Sequence, residues 1–361
     1  MPLLMFSVKN NSERRKLHQQ FHKKSSSKLR QYTGWQKSMG AAFFFIAFLG
    51  SISILTSGQQ SGTARKSQIS ITQLTKDMKS LVEINIPRKN GLDLSGNEAL
   101  NLNSATVSQL IQVTIPYLNS AIPNSRYLCQ RLLMHALFYQ VKNEPEKQRV
   151  VEILCKNFLN KENFHFLNTT LPILNEKDFN SAAKKYVARL IDNLPGSDYG
   201  LSAQFLSVAQ IRQSVPLLWK FVDTNFKTMQ HRDLDVLASL ARMKEKKAGI
   251  LLCEYYNSDF NKWGDVLNKT GDFWRHFLIA ENLAFSLDST VLSCLIKEFR
   301  AIDINYYLRD GDSGFYPAQY LGACIASMIK NYPFEKEDYS LKPKQLLDWL
   351  NNTNDIQIKD R

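Results

Sequence analysis

Few side chains in this sequence stand at spacings that support a reaction. Ser313, in GDSGF (Gly311–Phe315), has a nucleophile's flanks on one side only. Phe315 stands where a glycine would have to follow, and His135, the base it would need, lies in the helical text MHAL. Asp310 and Asp312 are spaced like the first ligands of a calcium loop, yet the twelfth position is Leu321 rather than a bidentate glutamate. Asp310–Gly314 therefore reads as a turn. His18 and His22 share a helical face without a third ligand. Cys129, Cys155, Cys253, Cys294 and Cys324 are scattered singly, which reads as buried thiols and leaves one or two bridges open. Glycine-rich phosphate loops, GxSxG and HExxH are all missing from the chain. No cofactor and no metal is implied.

Two groups remain. His276, with Arg275 and Glu281 nearby, is where an enzyme pocket assembled from distant residues would be centred. A histidine satisfied within the fold is the plainer reading. Trp263 and Trp274 flank a polar segment, and Tyr316 and Tyr320 follow the Gly-containing turn at 310–314. Aromatic and arginine side chains dominate binding energies at interfaces. Trp263, Trp274, Arg275, Tyr316 and Tyr320 are thus the expected partner-binding residues, with core packing as their bland alternative.

These side chains must be positioned by helices. From about residue 105 onward, leucine, alanine and phenylalanine recur at three- and four-residue spacing, while proline and glycine fall between segments. Leu128, Leu132, Ala136 and Tyr139 line one face; Val150, Ile153, Leu154 and Phe158 line another. Upstream, residues 57–104 open on the Ser, Gln and Gly rich SGQQSGTARKSQ and read as a polar stalk with at most a short helix around Ile71–Ile84. Residues 351–361 read as a polar tail.

Residues 39–56 are different. From Met39 to Leu55 no charged residue occurs, and Phe43, Phe44, Phe45, Ile46, Phe48 and Leu49 dominate. A run of this length and composition predicts one transmembrane helix held in the bilayer by those six residues. A cleaved leader or a buried core helix are the competing readings. Residues 1–38 carry +8 of the chain's formal charge of +13. This predicts a basic cytoplasmic tail, an inner-membrane span and a periplasmic body. The reverse orientation would make the body a cytoplasmic adaptor that meets acidic partners through its basic turns. The remaining +5 is too little for a polyanion-binding surface, so nucleic acid is not an expected partner.

The helical region repeats itself. Phe205–Phe221 set over Ser239–Tyr255, at an offset of 34, brings Leu206 onto Leu240, Arg212 onto Lys246, Leu217–Leu218 onto Leu251–Leu252 and Phe221 onto Tyr255. Asn282–Phe299 follows the plan more loosely, with Leu295–Ile296 as its pair. LASLARMKEKKAGILLCEYY (Leu237–Tyr256) resembles HEAT-type repeats: a first helix ending in leucine, a charged turn, a basic residue before alanine, then leucines. LPILNEKDFNSAAKKYVARLIDNL (Leu171–Leu194) has the family's other features, Pro172 in the first helix, Asp178 in the turn and Ala183–Lys184 after it. The resemblance covers about 170–300 and implies an all-α fold, an α-solenoid of helical hairpins over 105–350. Such arrays offer long docking surfaces. The expected function is a non-catalytic scaffold that docks other proteins of a membrane or cell-envelope assembly, its partners being those proteins and the bilayer itself.

Overall fold

The computed structural model describes residues 69–87, 92–94, 96–159, 164–194, 199–225, 233–260, 280–302, 304–305, 308–310, 313–315, 317–334, 342–353 and 355–360. All belong to one of two compact units, Gln68–Arg361; the other unit is Met1–Ser67.

Helix α1 (Ile71–Asn85) starts where the Ser70 side chain accepts a hydrogen bond from the Gln73 backbone N–H at 3.2 Å. Leu74, Met78, Leu81 and Val82 form its buried stripe. Helix α2 (Asn97–Ser104) packs against it, and Asn101 donates to the Asp77 carboxylate at 2.9 Å. Helix α3 (Val107–Thr114) begins in a capping box of Thr106 and Gln109, whose amide also donates to the Ile69 carbonyl. Residues 71–104, expected to be stalk, thus join the apolar core. Their stripe spacing was legible, but the polar residues between its members masked how much surface it buries.

Helices α4 (Pro123–Tyr139) and α5 (Glu144–Phe158) pair across a four-residue connection. A 3₁₀ run, Phe164–Ile173, follows where a first helix containing Pro172 was expected. Proline has no N–H to give to an α-helical ladder, which favours the tighter run. A short 3₁₀ turn (Glu176–Asp178) leads to α6 (Ser181–Ala188), capped by Asn180.

Three hairpins then share one layout: α7 (Tyr199–Val208) with α8 (Val215–Asn225), α9 (Leu234–Arg242) with α10 (Lys246–Phe260), and the helical residues 280–285 with α11 (Ser289–Ala301). At offsets of 34 and then 43 residues, Leu206, Leu240 and Leu283 occupy matching positions. So do Ser214, Ala248 and Val291, then Leu218, Leu252 and Leu295, and finally Val222, Tyr256 and Phe299. None of these twelve is more than 1% exposed. A single hairpin cannot cover such a face, so neighbours must stack; α7 packs on α9, α9 on α10, and α10 on α11. Gly249 on α10 lets the third of these hairpins approach, because a Cβ there would lie 2.8 Å from Oδ1 of Asp288, the cap of α11.

Strands β1 (Leu308–Asp310) and β2 (Ser313–Phe315) form an antiparallel hairpin with Arg309 opposite Gly314, and α12 (Pro317–Met328) and α13 (Pro343–Asn352) follow. The C-terminal residues do not fray. Ile358 bridges Ile329, the Lys330 N–H donates to the Gln357 carbonyl at 2.7 Å, and the Lys359 N–H donates to the Met328 carbonyl at 2.8 Å.

One expectation is corrected. No helix among the described residues is long and apolar enough to cross a membrane. The longest, α4, has 17 residues and carries Arg126, Arg131 and His135. At about 1.5 Å per residue it falls short of the roughly 30 Å hydrocarbon layer. Residues 39–56, with Phe43, Phe44, Phe45, Ile46, Phe48 and Leu49, lie outside the described residues. The helices described thus speak against the expected transmembrane helix and the inner-membrane address built on it.

Candidate functional site at the converging hairpin turns

The first helices of two of the matching hairpins, α7 and α9, end in the same way. The Ile211 N–H donates to the Leu206 carbonyl at 2.8 Å, and the Glu245 N–H donates to the Leu240 carbonyl at 3.1 Å. These wide bonds close the last helical turn only when the residue before the donor is left-handed. Gln210 (φ 55°) and Lys244 (φ 67°) meet that demand, and Leu287 (φ 47°) sits at the matching place in the next hairpin. Glycine is the relaxed choice there, and any other L-residue costs roughly 1–2 kcal/mol. Leu287 is buried and recovers this through packing. Gln210 and Lys244 do not go inward. With Glu176, Lys359 and Asp360 they line a cavity of about 350 Å³.

Arg242 draws the turns together from beneath. Its guanidinium, 4% exposed, donates from Nη1 to the Phe285 carbonyl at 2.9 Å and from Nη2 to the Leu174 carbonyl at 3.1 Å. It also lies 4.7 Å from the Phe285 ring centroid. The Gln210 amide donates to the Ser207 carbonyl at 2.8 Å and to the Arg242 carbonyl at 3.4 Å. Four segments distant in sequence, around residues 174, 210, 242 and 285, are thereby held side by side.

The walls are equally fixed. Asp178 accepts from Lys147 Nζ at 2.7 Å and from the Asn175 N–H at 2.8 Å, which sets the turn that presents Glu176. Glu176 itself pairs with Lys184 at 2.8 Å. Across the cavity Asp360 pairs with Lys330 at 3.3 Å, and the Lys359 ammonium donates to the Ser327 carbonyl. Lys244 differs: no ion pair or hydrogen bond of its ammonium occurs among the described residues. The cavity thus holds two ammonium groups, two carboxylates and an amide. Three of the four charges have partners within the fold, and the Lys244 ammonium has none among the described residues. Its lining groups, ammonium, carboxylate and amide, can pair with charge and hydrogen-bond a ligand.

Of the residues singled out in the sequence, Trp263, Trp274, Arg275, Tyr316 and His276 lie outside the described residues. Tyr320 is half-buried on α12 and donates its hydroxyl to Glu281, so it is engaged within the fold. Burial raises the Glu281 carboxyl while the Tyr320 bond pulls it down. Asp235 nearby is pushed up to about 7, chiefly by burial, with an Asn282 hydrogen bond opposing and Asp233 and Glu281 adding. His135 is lowered to about 4 by burial and by Arg131, which keeps it neutral within α4. Cys253 and Cys294 form a disulfide between α10 and α11. Cys129, Cys155 and Cys324 are buried thiols; burial pushes Cys129 up to about 12, and the other two also upward. Thiols held so far from ionisation are poor nucleophiles.

Glu176, Gln210, Lys244, Lys359 and Asp360 were not among the expected site residues. One signal was available: helices closing at Val208 and Arg242 without glycine at the left-handed position. Lys359 and Asp360 had none, since only tertiary docking of the C-terminus brings them to this edge. Neither a family model, a curated protein nor a solved structure matches the chain.

Proposed function

We propose that this chain is a non-catalytic scaffold of stacked helical hairpins, HEAT-like in plan, that docks other proteins at the edge where its hairpin turns converge. One observation carries the reading: long polar side chains are kept at Gln210 and Lys244, where the backbone favours glycine and where both face an open cavity. Strain retained against a relaxed alternative marks a working surface. The repeated buried positions support the array, and the pinning by Arg242 supports a rigid platform.

The test is affinity purification of the tagged full chain beside its Lys244→Glu variant, both checked for equal thermal midpoints. The expected result is that at least one protein abundant with wild type is depleted from the variant. Identical sets of co-purifying proteins would remove the turn edge from consideration as the docking surface.

A further inference from the structure

The class of partner can be narrowed from the charges in the cavity, and this step rests on the scaffold reading above. Glu176 pairs with Lys184 and Asp360 with Lys330 at the surface, and the Lys359 ammonium donates to the Ser327 carbonyl. Lys244 alone brings a charge that the described residues leave unanswered. The turn surface beside it adds cations: Arg212 is half-exposed, and Lys246 and Lys247 are exposed at the start of α10. Glu245 is the acid among them; it lies 3.5 Å from Arg212 and accepts from the Trp219 indole at 3.2 Å. Lys247 lies 5.2 Å from the Trp219 ring centroid. With Arg212 and Glu245 offsetting each other, Lys244, Lys246 and Lys247 leave this part of the edge cationic.

We infer that the cavity lined by Glu176, Gln210, Lys244, Lys359 and Asp360 takes a carboxylate side chain from an acidic segment of a partner protein. Lys244 supplies the charge, and the Gln210 amide, already oriented by Ser207 and Arg242, fixes one wall. The Lys359–Asp360 end of the chain, tied down by its backbone bonds to Met328 and Lys330, forms the opposite wall. A carboxylate set against an ammonium in this open recess gains a charge-assisted hydrogen bond as well as long-range attraction. The flanking cations extend the attraction to acids on either side of the anchoring residue.

The left-handed backbone yields an unusual control. Lys244→Gly deletes the cation while relaxing the turn, so loss of binding cannot be laid to misfolding. The probe is a short fluorescein-labelled peptide alternating glutamate and glycine, with a glutamine–glycine peptide as its neutral counterpart. Fluorescence anisotropy is followed with the full chain at low and at raised salt. The expected result is preference for the glutamate peptide, weakening with salt, and an affinity loss of about tenfold or more in both Lys244→Gly and Lys244→Glu. Lys244→Gly should retain or raise the thermal midpoint. Lys79→Glu, a change on exposed α1, should bind as wild type. Equal binding of the two peptides, or unchanged binding by both Lys244 variants, would overturn the assignment. If proteins still co-purify with wild type and are lost from Lys244→Glu while the glutamate peptide is ignored, the acidic class falls and the scaffold reading stands. If neither assay responds, both fall.

Discussion

Lys244 and Leu287 sit on the same kind of backbone and serve opposite ends. Each follows a short first helix, each is left-handed, and each precedes a second helix whose buried positions match the other's. Leu287 turns into the core, while Lys244 stands on a cavity wall. The difference shows that helix termination dictates the backbone, whereas the surroundings decide what the side chain is for. The contrast continues one helix on. Glu298 of α11 matches Tyr255 of α10, and its Oε1 meets no hydrogen-bond donor among the described residues.

Removing Arg242 should break the comparison altogether, because its guanidinium is what makes the turns neighbours. Arg242→Ala would strand the Leu174 and Phe285 carbonyls and leave a void. At about 1–3 kcal/mol for each unsatisfied group, a loss of roughly 3–5 kcal/mol is expected in urea unfolding. A change within 1 kcal/mol of wild type, on the order of a surface substitution, would mean that the turns are held by helix packing alone.

Glu298 sharpens the contrast through pH. Burial raises its carboxyl to about 7, with Lys297 pulling the other way. Its folded-state value lies above the unfolded one of about 4.3, so its contribution is fully present below that value and fades as pH rises through 7. Wild type should therefore lose stability between mildly acidic and mildly alkaline solution. Glu298→Gln should flatten that slope and be more stable than wild type at pH 8 by roughly 2–3 kcal/mol. Parallel pH profiles for the two proteins would show that Glu298 is not the titrating group.

Glycine replacements at the two turns give the finest test, since they should move in opposite directions. Leu287→Gly relieves the backbone but removes a buried side chain, for a net loss of roughly 1–2 kcal/mol. Lys244→Gly relieves the same strain and forfeits no buried surface, for a gain of about 1 kcal/mol. Thermal midpoints of both variants decide the matter, and shifts of the same sign would erase the distinction between the turns.

The helical plan was readable because burial imposes a period. Leucines and their substitutes return every three or four residues, and the offset of 34 sets buried Leu206, Ser214 and Leu218 on buried Leu240, Ala248 and Leu252, though Leu217, paired with Leu251, is exposed. The disulfide was left open in the sequence because Cys253 and Cys294 stand 41 residues apart with nothing local to pair them. Tyr320 was noticed for its type, yet its bond to Glu281 depends on α12 reaching an earlier hairpin.

Local chemistry in the chain specifies where helices start and stop, which faces turn inward and which segments repeat, since capping, proline and apolar spacing act over a few residues. Assembly of the cavity is another matter. Glu176, Gln210, Lys244, Lys359 and Asp360 span most of the helical region and meet only after the hairpins stack, Arg242 gathers their turns and the C-terminus docks. Contacts of that range depend on the packing of every intervening helix, and no short window of residues carries them.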